Sequence, residues 1–158
     1  MKKSNRKGFT LVELVVVIAI IGILAAILVP TMMNYVKKSK LKSANSNAKL
    51  VFTTVNNCAA DLVVDGDVSG IAAQGPAQIS GWKSGSPTAL QSAVYEALKD
   101  NGDGMGYCSW GIGSSHDITW AQWSDQNSST DSIVGQYPDP ATDPDVAVKK
   151  ISSSKISF

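Results

Sequence analysis

From Leu14 to Val29 the chain carries 16 consecutive apolar or glycine residues, and counting back to Phe9 gives 21 positions interrupted only by Thr10 and Glu13. A run of that length crosses a bilayer as a helix. Beyond Pro30 the pattern changes. Met33, Val36, Leu41, Ala44, Ala48, Val51, Phe52, Val55, Ala59 and Leu62 recur mostly at three- and four-residue steps, the mark of one buried helix face. The period stops at Val64-Asp65-Gly66-Asp67, which predicts a single helix from about Phe9 to about Val64. At 1.5 Å per residue it spans roughly 84 Å, far more than one bilayer. Its membrane half, 9–30, is then free to pack on other helices, while the amphipathic half, 31–64, must lay its stripe beneath a separate domain.

That domain is the remainder, 65–158, large enough for one small core. Ser86-Pro87 reads as an N-cap and first helical residue. Leu90, Ala93, Val94, Ala97 and Leu98 then mark an apolar face up to Lys99, and Asp100-Asn101-Gly102 ends the helix. Strand-like stretches follow at Met105 to Ile112, Asp117 to Trp123, Ser132 to Tyr137 and Val146 to Phe158, divided by Gly, Ser, Asn and Pro clusters. The expected fold is α+β, a long N-terminal helix packed against a small antiparallel sheet.

Charge sets the topology. Lys2, Lys3, Arg6 and Lys7 precede the apolar run with no acid among them, so the N-terminus is expected in the cytoplasm and everything after Pro30 outside. A cleaved secretory signal would be shorter and end in small residues. Leu24 to Leu28 offers a weak version of that, and Pro30 directly after it makes cleavage unattractive. Glu13 is the exception within the run: a carboxylate at the bilayer centre costs roughly 2.5 to 3.5 kcal/mol, so it calls for a partner and a role. Relief of the helix dipole, a few tenths of a kcal/mol, is too small to justify it.

The segment Lys7-Gly8-Phe9-Thr10-Leu11-Val12-Glu13 resembles, residue by residue, the processing site of the type IV pilin family, which includes type II secretion pseudopilins and competence pilins. The resemblance covers about the first 50 residues. It implies that a prepilin peptidase removes the basic leader, 1–8, by cutting between Gly8 and Phe9 on the cytoplasmic face, and then methylates the new amino group of Phe9. A residue without a side chain before the bond suits that access. The new amine would stand one helical turn before Glu13, and the two can neutralise each other. In pilins the matching Glu pairs with a neighbouring subunit's amine and sets the axial register. Gly22 and Pro30 match the pair that, in pilins, brackets a segment losing helical hydrogen bonds in the filament. Helix breakers merely tolerated in a membrane span are the plainer reading, and Pro30 predicts a kink because its ring meets the carbonyl of Ala26. The partners implied are further copies of the chain, the prepilin peptidase, the pilus assembly machinery and, before assembly, membrane lipid.

Further along, Lys37, Lys38, Lys40, Lys42 and Lys49 form a basic band with no acid from Thr31 through Ala60, whereas the head from Gly66 onward holds ten acids and five bases. Stem and head are oppositely charged, a contrast that subunits in a filament can use. All four tryptophans, Trp82, Trp110, Trp120 and Trp123, lie in the head. Core packing is their first reading and a glycan-binding face the second. Cys58 and Cys108, the only cysteines, admit either a disulfide tying head to stem or two free buried thiols. Asp100-Asn101-Gly102-Asp103-Gly104 clusters oxygen ligands but lacks the spacing and closing Glu of an EF loop, so no metal site is assigned. No cofactor is expected. His116 beside Asp117 has no nucleophile, metal spacing or phosphate loop around it, and catalysis is not expected. The acidic head disfavours nucleic-acid recognition.

Two function classes stand. One is a filament subunit for adhesion, motility or DNA uptake, with a secretion pseudopilin as its variant. The other is a membrane-anchored binding protein that only displays its head. Cleavage at Gly8 separates them.

Overall fold

The computed structural model describes residues 8–101, 105–130 and 132–158. The leader residues 1–7 and the Gly102–Gly104 stretch of the Asp100 loop lie outside the described residues. The chain divides into two compact units, Met1–Lys37 and Lys38–Phe158, and helix α1, Leu11–Val64, contributes to both.

In the first unit the 14–29 stretch of α1 is apolar all round and uncovered, with Ile18 58% and Ile23 65% exposed. It is long and apolar enough to cross a membrane. Met33 and Val36 also fall here and are exposed.

In the second unit the helical stripe becomes core. Leu41, Ala44, Ala48, Val51, Val55 and Ala59 are buried, and Phe52 and Leu62 are half-buried against them. Full burial of side chains such as Val51 and Val55 stabilises by about 1.5 to 3 kcal/mol each. The helix stops where the sequence predicts, through a Schellman turn. The Asp67 N–H donates to the Leu62 carbonyl, the Gly66 N–H donates to that of Val63, and Gly66 takes φ +80°, a conformation open to glycine without strain.

The head continues with β1 (Gln74–Gln78), a 3-10 helix (Ile79–Lys83), α2 (Ala89–Leu98), β2 (Tyr107–Ile112), β3 (Ile118–Ser124) and β4 (Gly135–Tyr137). The strands form one antiparallel sheet in the order β1-β2-β3-β4. Strand β1 and the 3-10 helix were not expected. Pro76 argues against a central strand, but β1 lies at the edge and its register slips between Gln74 and Ala77. The cap of α2 also differs from expectation. Thr88, not Ser86, is the N-cap, in a capping box with Gln91. Leu90, Val94 and Leu98 enter the core as the pattern requires.

Trp82 and Trp110 meet edge to face in that core, with centroids 5.7 Å apart, and Trp123 is buried in the same cluster. Trp120 is half-exposed and lies across Gly111, where a Cβ would come within 2.1 Å of the indole nitrogen. Three of the four tryptophans therefore serve the core, as the first reading held.

The expected strand over Val146 to Phe158 is not a strand. Beyond an isolated bridge between Ile133 and Val148, that segment has no ladder. Two buried side chains hold its end instead. Gln122 and Gln136 face each other as register partners on β3 and β4. Gln122 accepts from the Ser152 N–H at 2.9 Å and donates to the Ser154 carbonyl at 2.9 Å. Gln136 accepts from the Ile156 N–H at 2.8 Å and donates to its carbonyl at 2.9 Å. Glutamine amides thus take the place of a neighbouring strand's peptide groups. The alternating apolar pattern marks an extended segment, but its hydrogen bonds go to side chains.

Candidate processing and assembly segment

Residues Gly8 to Thr10 are exposed and non-helical, and α1 starts at Leu11 rather than at Phe9. Thr10 is the reason. Its N–H donates to Glu13 Oε2 at 2.8 Å, its hydroxyl donates to the same oxygen at 2.7 Å, and the Glu13 N–H donates to Thr10 Oγ1 at 3.3 Å. This is the reciprocal Thr-x-x-Glu capping box, which satisfies two otherwise orphaned donors at a helix start. The spacing was there to read in the sequence, immediately before the apolar run. The bond between Gly8 and Phe9 consequently lies outside the helix.

Among the described residues a Cβ built at Gly8 meets nothing within 4 Å. The same holds at Gly22, in the middle of a helix, where glycine costs about 1 kcal/mol relative to alanine. The backbone of α1 is helical through both Gly22 and Pro30. Pro30 has no N–H to give the Ala26 carbonyl, and the next residue, Thr31, turns its hydroxyl back onto the Leu28 carbonyl at 2.8 Å and that of Ile27 at 3.4 Å. This turn of the helix is one backbone hydrogen bond short.

Glu13 therefore sits exposed on an apolar helix, with its carboxylate turned to its own N-terminus rather than to any distant residue. Within the apolar 11–30 stretch of α1 Glu13 is the one charged residue, and its capping bonds fix where that charge stands along the axis.

Cys58 is half-buried and Cys108 fully buried, and the structure leaves both as free thiols against one core cluster. Burial, aided by the charge of Asp61, raises the Cys58 thiol pKa, and burial alone pushes that of Cys108 well above the ordinary range. His116 is an exposed residue in the β2–β3 turn with φ +63°.

Sequence reading missed the polar clasps between helix and sheet. Asn45 donates to the Ala141 carbonyl at 3.0 Å and accepts from the Gln136 N–H at 3.3 Å, while Asn56 accepts from the Ile118 N–H at 3.2 Å. The two asparagines stand three turns apart on the sheet-facing side of α1, Asn45 holding the middle of β4 and Asn56 the start of β3. A half-buried Asn within an apolar stripe is the only trace they leave in sequence.

Residues 3–29 match the family described as the prokaryotic N-terminal methylation motif. The chain is 44% identical over 68 residues to the type IV major fimbrial protein FimA of Dichelobacter nodosus, covering 43% of this chain and 41% of that protein. It is 49% identical over 49 residues to the type IV major pilin protein PilA of Myxococcus xanthus, covering 31% of this chain and 22% of that one. Against fimbrial protein Q of Moraxella bovis it is 63% identical over 37 residues, 23% of this chain and 24% of the relative. The chain thus spans about two-fifths or less of the length of these relatives. No solved structure matches it. Motif, long apolar helix and relatives together support the type IV pilin family.

Proposed function

We propose that the chain is the structural subunit of a type IV pilus, polymerised through the apolar half of α1 with the heads forming the filament surface. The observation that carries this reading is the uncovered apolar helix with its single acid, Glu13, preceded by a non-helical Gly8-Phe9 bond. Hydrolysis of that bond gives Gly8 a carboxylate and Phe9 an amino group, whose unprotonated form then takes one methyl from an electrophilic methyl donor with loss of a proton. The four basic leader residues leave with Gly8, and the apolar helix remains in the bilayer with its N-terminus on the cytoplasmic side.

Cleavage changes the balance around Glu13. Before it, the carboxylate has the capping bonds of Thr10; after it, a cation stands one residue ahead of Thr10. Pairing with the ammonium of an adjacent copy removes an uncompensated charge from hydrocarbon and fixes how far one helix slides past the next. Gly22 then allows close helix approach, and the Pro30 region supplies backbone that can lose hydrogen bonds when the filament forms.

The named relatives are fimbrial and pilin proteins, which favours a pilus over a secretion pseudopilus. We propose a subunit without enzymatic activity. Removing prepilin peptidase activity from the host tests this reading: the chain should keep its first eight residues, stay with the membrane and yield no sheared polymer. Unchanged filaments in that host would refute it.

A further inference from the structure

Ser92, Tyr95 and Glu96 of α2 and Lys99 at its C-cap follow one another at i, i+3, i+4 and i+7, and they line a cavity of about 430 Å³. Trp82 and Lys83 from the 3-10 helix, with Pro87, close its other side. The volume is that of a ligand site, and its walls combine aromatic and proline surface with a few charges.

Those charges run against the head as a whole. From Gly66 onward acids outnumber bases two to one, yet two of the five head lysines line this cavity. Glu96 engages Lys99 at 2.5 Å, and Asp100 acts on Lys99 from further out. Lys83 has no ion-pair partner among the described residues and is exposed. The site therefore offers apolar walls and one uncommitted cation.

The head carries a segment of the opposite character. Between β4 and Val146 the sequence Pro138-Asp139-Pro140-Ala141-Thr142-Asp143-Pro144-Asp145 contains three acids, three prolines and no base. Asp139, Pro140 and Asp143 are exposed. The loop is pinned from within: Gln136 donates to the Asp139 carbonyl at 3.2 Å, Asn45 donates to that of Ala141, and Ala141 is buried. Asp139 already pairs with Lys155, which leaves Asp143 as the better-placed acid for an outside cation.

We propose that the Trp82–Lys83–Tyr95 cavity receives the Asp139–Asp143 loop of a second copy of this chain. Pro140 packs against the aromatic walls and Asp143 meets Lys83. Two different surfaces on each subunit make a heterologous contact, the kind that propagates into an open helical polymer instead of closing into a dimer. Complementary charge of this sort fixes register more than it adds affinity. The inference rests on the filament reading, and it adds a head-to-head contact to the one between apolar helices.

The test uses filaments sheared from the host, carrying the full-length chain as wild type, Lys83→Glu, Asp139→Asn with Asp143→Asn, and the combination. Asn keeps both the positive φ at 139 and the turn that the Asp143 side chain makes with the Asp145 N–H. The expected result is a several-fold loss of sheared polymer for Lys83→Glu at low salt, and a much smaller loss in the neutralised-loop background, where the new carboxylate meets no acid. Equal losses in both backgrounds, or no loss in either, would overturn the contact. So would normal filaments that lose only attachment to a glycan surface, which would give the cavity to a sugar. Absence of polymer from the wild type would refute the filament reading and this contact with it. Normal wild-type polymer with uncoupled variants would refute the contact alone.

Discussion

Gly135 in β4 lies so close to the backbone of α1 that a Cβ there would stand 2.0 Å from the carbonyl oxygen of Ala44. Small residues on both sides, Gly135 on the strand and Ala44 and Ala48 on the helix, let the sheet meet the helix backbone. Gly135→Ala cannot be absorbed by a side-chain rotation, because the obstacle is backbone. The expected cost exceeds the ~1 to 3 kcal/mol of ordinary overpacking. Gly81→Ala, where a Cβ meets nothing within 4 Å, is the matched control. Thermal unfolding of the detergent-solubilised full chain should show a large drop in Tm for the first and little change for the second.

The Gln122 and Gln136 pair makes a separate prediction. Replacing either with Leu keeps the bulk but takes the partners from N–H and carbonyl groups of the C-terminal segment, called the strap below, at up to about 1 to 3 kcal/mol for a group left buried without one. Hydrogen exchange should accelerate at Ser152 in Gln122→Leu and at Ile156 in Gln136→Leu, with smaller changes in β2. Unchanged exchange at both amides would mean that the strap is held by other means.

The cysteines should behave as two free thiols. Alkylation in denaturant without reductant is expected to label both, whereas one disulfide would leave neither reactive. In the folded chain Cys108 should stay unlabelled and Cys58 should react slowly, with its rate rising only at a pH above the usual thiol range. The sign for stability follows. Both thiols have raised folded pKa values, so their contribution is fully present below the unfolded value, near 8.5, and is lost as pH rises above it.

Much of this architecture is visible in the sequence where one pattern dominates. The stripe from Leu41 to Ala59 and the Gly66 stop fix the second half of α1, and the α2 face at Leu90, Val94 and Leu98 reads the same way. The site is legible to a similar degree: Gly8, Phe9 and Glu13 stand out against an apolar background. What escapes is local competition between backbone and side chain. Thr10 trims two residues from the predicted helix start, Thr88 displaces Ser86 as a cap, and two glutamines replace a ladder for the C-terminal strap. Periodicity reports which face is buried, not which atom takes each hydrogen bond. Edge strand β1, with glycine and proline among its five residues, carries no alternation for the same method to find.

The central claim is that processing at Gly8 and the charge of Glu13 make this chain a filament subunit. Intact mass and N-terminal analysis of protein sheared from its own host, compared between native chain and Glu13→Ala, tests it most directly. The account predicts loss of Met1 to Gly8 with one added methyl on Phe9, and little or no sheared material from the variant. An intact leader, with no shearable polymer from the native chain, would contradict it and leave a membrane-anchored protein that displays its head.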